Sequence, residues 1–164
     1  LALDARGQWF MRDDRIQAAG PFPAVKGSRI DHEKLLAFIH RNYESDADGC
    51  WFFQNGPQRV YVELEITPWI WRVDEAGMLS THTGVDAGTP RKVMLDEQGR
   101  LFAAAALGLG IVHTQDMHVA ADLVEGGAWV PETVDAGLLP HAFGYVLSPQ
   151  SRQSRQGGEK PPPT

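Results

Sequence analysis

The pattern Asp-x-x-Gly occurs four times, at Asp4–Gly7, Asp46–Gly49, Asp74–Gly77 and Asp96–Gly99, each time with a large apolar residue two positions on: Trp9, Trp51, Leu79 and Leu101. An aspartate opening a type I turn accepts hydrogen bonds from the backbone N–H groups ahead of it. A glycine three residues later supplies positive φ and the bulge that returns the chain as a strand. Four such turns commit much of the chain to hairpins. Leu3, Val73 and Leu95 precede three of the aspartates, so apolar residues flank these turns on both sides.

The second copy carries another reading. Glu44, Asp46 and Asp48 alternate before Gly49, directly after a predicted helix, which is how calcium loops begin. The position that needs a bidentate glutamate holds Asn55. The residues after Gly49 read as strand, so a structural turn is the favoured reading there too.

Between the turns the pattern alternates strands and helices. Trp9 to Met11 reads as a strand, Arg12-Asp13-Asp14 as a turn and Arg15 to Gln17 as a return strand. Leu35, Leu36, Phe38, Ile39 and Tyr43 fall at helical spacing, which predicts a helix capped by Asp31 and running to about Tyr43. Cys50 to Gln54 reads as a strand closed by Asn55-Gly56, a strong hairpin signal. Val60, Val62, Leu64 and Ile66 alternate with Tyr61, Glu63 and Glu65 as one half-buried strand. Trp69-Ile70-Trp71 continues beyond Pro68. Shorter strands are expected at Met78 to Thr83, Lys92 to Leu95 and Arg100 to Ala104. A second helix is expected from Gln115 to Val124, capped by Thr114 and stopped at Gly126-Gly127.

The expected fold is α+β, mostly antiparallel hairpins with two main helices, over residues 1–147. Leu3 to Phe10 aligns with Leu95 to Phe102 without a gap, which suggests pseudo-repeat units at 1–43 and 93–126 and two small β-rich subdomains. Residues 148–164, rich in Ser, Gln, Gly and Pro, read as a disordered tail.

Composition narrows the partners. The formal charge is −6, and the 15 Lys and Arg residues are scattered. Phosphate neutralisation needs clustered cations, so a nucleic-acid partner is not expected. Leu101 to Val112 is the longest apolar run and is too short to span a membrane. Cys50 is the single cysteine. It builds no disulfide framework and suits a reducing cytoplasm. No signal-peptide pattern is visible, although the chain opens at Leu1 and not at Met.

No nucleophile elbow, phosphate loop or dinucleotide fingerprint occurs, so no catalytic residue is named. Gly108-Leu109-Gly110 is too short for the last of these. Cys50 lacks the electropositive setting of a reactive thiol. Six histidines are present. His113 and His118 bracket Asp116 at the start of the second helix, and with His82 they form the candidate metal set, each having a structural alternative. Trp69 and Trp71 share one strand face. If that face were open, they would floor an apolar pocket with Tyr61 and His82; burial in the core is the commoner fate of such residues.

Leu3 to Trp9 and the run Gly49-Cys50-Trp51-Phe52-Phe53-Gln54-Asn55-Gly56-Pro57-Gln58-Arg59-Val60-Tyr61-Val62, continuing to Thr67-Pro68-Trp69, resemble a family of uncharacterised proteobacterial proteins catalogued as a domain of unknown function. His82-Thr83-Gly84 and Leu95 to Phe102 extend the resemblance over most of the chain before Gln150. The family's layout is similar to another uncharacterised bacterial family with two small β-rich subdomains. The resemblance implies a bacterial, cytoplasmic protein and supplies no activity or cofactor.

The leading expectation is a non-catalytic module that binds a small molecule or a protein. The alternative is a metal-binding protein or metal-dependent enzyme built on His82, His113, Asp116 and His118. Self-assembly through the aromatic surface is a third reading.

Overall fold

The computed structural model describes residues 1–149, so the tail assigned to 148–164 lies almost wholly outside them. All four Asp-x-x-Gly segments are hairpin turns built alike. The first carboxylate oxygen accepts from the backbone N–H groups two and four residues on, at 2.8–3.0 Å. The closing glycines have φ of 80°, 84°, 82° and 78°. A fifth turn of this form opens on threonine instead of aspartate. The Thr81 hydroxyl accepts from Thr83 N–H at 3.2 Å and Val85 N–H at 3.0 Å, and Gly84 closes the turn at φ 89°.

These turns join neighbouring strands within three sheets. The N-terminal sheet orders its strands Ser28–Arg29, Trp9–Met11, Ala2–Leu3 and Glu63–Leu64. A ribbon of three contains Tyr43–Ser45, Trp51–Asn55 and Gln58–Tyr61. The main sheet runs Asp86–Gly88, Leu79–Thr81, Trp69–Val73, Gly108–Val112, Leu101–Ala105, Lys92–Leu95 and Glu132–Thr133. Pairing is mostly antiparallel, with parallel contacts where Trp69–Val73 meets Gly108–Val112, Ala2–Leu3 meets Glu63–Leu64, and Lys92–Leu95 meets Glu132–Thr133. The fold is therefore α+β with mixed sheets.

Among the described residues four α-helices complete it: α1 (Asp14–Ala19), α2 (Glu33–Arg41), α3 (Met117–Glu125) and α4 (Leu139–Phe143). None of the described helices is long and apolar enough to cross a membrane.

Several expectations need correction. Arg15 to Gln17 lies in α1 and not in a strand. Asp13 caps that helix through Ile16 N–H at 2.9 Å, while Trp9–Met11 pairs back onto Ala2–Leu3. The local signal of a turn at Arg12-Asp13-Asp14 was in fact an N-cap. His32, not Asp31, caps α2, accepting from Leu35 N–H through Nδ1. His113, not Thr114, accepts from Gln115 N–H at 3.0 Å ahead of α3. Asn55 pairs with Gln58, so the two-residue loop is Gly56-Pro57, with Gly56 at φ 59° in the type II′ pattern. The alternating run from Val60 to Ile66 is divided between two sheets. Val62 N–H still donates to Trp51 O in the ribbon, and Glu63 N–H already donates to Leu1 O.

Asp4 shows how much one turn carboxylate contributes. It is 1% exposed and holds Arg6 N–H, Gln8 N–H and the Lys26 ammonium. Removing it strands part-buried donors. Asp4→Ala is expected to cost about 2 kcal/mol in urea unfolding, against about 1 for the exposed Asp74→Ala. Equal losses would mean that burial adds nothing to this turn.

Candidate functional site

Two histidines sit where the three sheets meet. Trp9 comes from the N-terminal sheet, Tyr43 and Trp51 from the ribbon, and Trp69 from the main sheet. Tyr43 packs edge-on against Trp9 at 5.2 Å and Trp69 at 5.3 Å between ring centroids, and it lies 4.8 Å from Trp51. Its hydroxyl donates to Pro68 O at 2.7 Å. His82, second residue of the threonine turn, inserts its ring within 6 Å of Trp9, Tyr43 and Trp69. Its Nδ1 accepts from Ile70 N–H at 3.2 Å, while Nε2 is out of solvent without a hydrogen-bond partner. Burial, and secondarily the neighbouring His40, push the His82 imidazole down to about 3. His40 accepts the Trp9 indole N–H at 3.0 Å, and burial lowers it as well.

The residues singled out from sequence fall into separate places. His82 and Trp69 meet in this cluster. Trp71 does not join them: it is fully buried on its own, donating to Ala103 O at 2.8 Å. Trp69 is 7% exposed and Ile70 between them is 0% exposed. Both faces of this strand are thus core, and the open aromatic face considered from sequence is not there. Tyr61 lies apart, against Phe52, with its hydroxyl 3.3 Å from Asp46.

The candidate metal residues are likewise dispersed. Asp116 is bound by the Arg72 guanidinium at 2.7 and 3.1 Å and by Val73 N–H at 3.0 Å, bonds that hold its carboxyl below the usual range. His113 lies beside that pair. Its imidazole is lowered, first by burial and then by the Arg72 charge. His118 is exposed on α3. Among the described residues, no group of three or more His, Cys, Asp or Glu is placed to hold a metal ion. In the Glu44–Gly49 segment both Asp46 oxygens are engaged, by the turn backbone and by Tyr61, and a strand follows.

A concavity that the sequence did not announce lies further along the same face of the ribbon, where Phe53 pairs with both Tyr43 and Val60. It encloses about 550 Å³ beneath α2, walled by Ile30, Leu35, Phe38, Ile39, Phe53 and Val60, with Leu1, Met11 and Asn55 completing it. Met11 is 50% and Leu35 36% exposed. The helical stripe of α2 explains the wall: Ile39 points into the core, Phe38 is half-buried against Phe53, and Leu35, at the flank of the stripe, remains exposed. A second concavity of about 400 Å³ adjoins it, sharing Leu1 and Val60 and adding Arg12, Gln17, Arg59, Tyr61 and Glu63. Apolar walls with few polar groups at one end are the usual make-up of a small-molecule site.

Fold and site together define an α+β hairpin protein with an apolar groove at the edge of its ribbon. The chain belongs to the family described as "Protein of unknown function (DUF2946)", whose model matches residues 1–150. Among solved structures it is similar to a DUF1285 family protein from Silicibacter pomeroyi DSS-3. The TM-score is 0.51 at 13% identity, covering 74% of this chain and 67% of that one. That likeness concerns the fold alone. No curated protein matches the chain.

Proposed function

We propose that this chain is a non-catalytic binding module for a small molecule with an apolar body, received by the groove under α2. The observation that carries the reading is the groove itself: about 550 Å³ of concave space with an almost wholly apolar wall. Its volume lies within the range of ordinary ligand pockets, and its exposed Met11 and Leu35 leave apolar surface open at its rim. The aromatic core shared by all three sheets supports reading residues 1–147 as one domain. The buried Cys50 supports a reducing, cytoplasmic setting.

The test is displacement of an apolar fluorescent dye from the full chain by straight-chain alcohols. Leu35→Glu, at a site more than a third exposed, is expected to weaken dye binding at least tenfold while leaving Tm within about 2 °C of the parent. Unchanged dye affinity in that variant would place binding elsewhere. Dye loss accompanied by a concentration-dependent change of mass would point to a second copy of the chain on the same face.

A further inference from the structure

Arg12 is the most anomalous charge in the described chain. It follows the strand Trp9–Met11, and α1 folds over it without burying a single side chain of its own. The residue is left 7% exposed. One Nη donates to Gly20 O at 2.6 Å, Nε has no hydrogen-bond partner, and the guanidinium carbon lies 5.9 Å from the Phe22 ring centroid. Among the described residues it forms no ion pair, while Lys26 engages the nearby Asp4 and Glu65. A buried cation without a counter-charge is strongly disfavoured unless something supplies one.

The position of Arg12 says what would do so. It lines the 400 Å³ concavity that shares Leu1 and Val60 with the apolar groove. Arg59 stands on the same wall, its guanidinium 4.5 Å from the Phe52 ring centroid. Glu63 is the one acid lining that concavity; an adjoining one of about 440 Å³ shares Arg12 and Glu63 and adds Glu65, which Lys26 engages. An arginine fork offers parallel N–H donors to a planar anion. We infer that Arg12, with Arg59, receives the carboxylate of an amphipathic anion whose hydrocarbon chain lies in the groove under α2. This rests on the groove being the binding site and adds the ligand's charge and chemical class.

The test compares dodecanoate, dodecyl phosphate and dodecanol as competitors for the apolar dye on the full-length chain. Dodecanoate is expected to bind at least tenfold more tightly than dodecanol. Arg12→Met is expected to abolish that difference while leaving dodecanol binding unchanged, and Arg12→Lys to retain part of it. Glu63→Gln, which removes the competing carboxylate, is expected to tighten dodecanoate severalfold. If Arg12→Met fails to fold, Arg12→Lys and Glu63→Gln carry the same comparison. Equal binding of dodecanoate and dodecanol, or a preference that survives in Arg12→Met, overturns the inference but leaves the apolar groove standing. A preference for dodecyl phosphate that is lost in Arg12→Met keeps the anion subsite and overturns the assignment to a carboxylate. Failure of every amphiphile to displace the dye overturns the groove reading itself.

Discussion

Gly110→Ala is expected to lower stability by about 3 kcal/mol, or about 6–12 °C in Tm, at a strand position where sequence rules favour alanine over glycine. Gly110 has no unusual backbone angle, so the effect comes from space. A Cβ there would lie 2.5 Å from Trp71 Nε1, 2.7 Å from Trp71 Cε2 and 2.8 Å from Trp69 O. Retreat is blocked, because the fully buried Trp71 ring is tied to Ala103 O and Trp69 is held to Gly110 by strand register. Either the indole hydrogen bond breaks or the parallel strand pair opens, and packed interiors yield poorly to either. Gly99→Ala is the control: nothing lies within 4 Å of its Cβ, but φ is 78°, so only the left-handed penalty of about 1 kcal/mol applies. Trp71→Phe removes the clashing part of the ring, so the double variant should be less destabilised than the sum of the two singles. A Tm for Gly110→Ala within 2 °C of the parent, or strict additivity, would defeat the argument.

The same pair of strands shows which parts of the fold can be read from sequence. Hairpins were legible because Asp-x-x-Gly encodes its own geometry within a few residues, and all four copies behave alike. The fifth turn was missed because Thr81 replaces aspartate, although its hydroxyl accepts the same two backbone donors. That miss concealed the setting of His82, which the turn carries into the aromatic cluster. The parallel pairing of Trp69–Val73 with Gly108–Val112 had no local signal. In retrospect one faint cue existed. Glycines two apart at Gly108 and Gly110 face tryptophans two apart at Trp69 and Trp71, small opposite large. Read alone, the glycines suggested only an incomplete nucleotide fingerprint.

The site was less legible than the fold, for a physical reason. Leu35, Phe38, Phe53 and Val60 read as the apolar positions of a helix and two strands, and whether such residues close over one another or leave a groove depends on tertiary placement. Arg12 gave no sign either. It sits among polar neighbours that are all exposed, and groups distant from that local pattern, the Gly20 carbonyl and the Phe22 ring among them, bury it. Histidine spacing near α3 suggested a metal, but Arg72 claims the carboxylate the set would need.

Acidification from pH 6.5 to 4.5 is expected to cost about 3 kcal/mol of stability or more, a fall of about 6–10 °C in Tm, and His82 is the main reason. In the unfolded chain its imidazole titrates at the ordinary value of 6.5, and in the fold it is pushed down to about 3. Above pH 6.5 both states hold the neutral ring and no pH dependence arises from it. Below 6.5 the unfolded chain binds one more proton, so stability declines by about 1.4 kcal/mol per pH unit until the folded ring itself protonates near pH 3. His40 and His113 are lowered as well and add to the slope in the same direction. His40 has a structural reason to resist: protonating its Nε2 would set a donor against the Trp9 indole N–H. Asp96 and Asp116 are held below 3.8 by their arginine partners and backbone donors, so their contribution is lost only at lower pH, which leaves the window from 6.5 to 4.5 to the histidines. His82→Asn keeps an acceptor for Ile70 N–H and removes the titration. Its Tm should be lower at pH 7, since the ring packing is lost, yet flatter between pH 6.5 and 4.5 by about 1.4 kcal/mol per unit. An unchanged slope in that variant would mean that the His82 ring is not held neutral by the aromatic core.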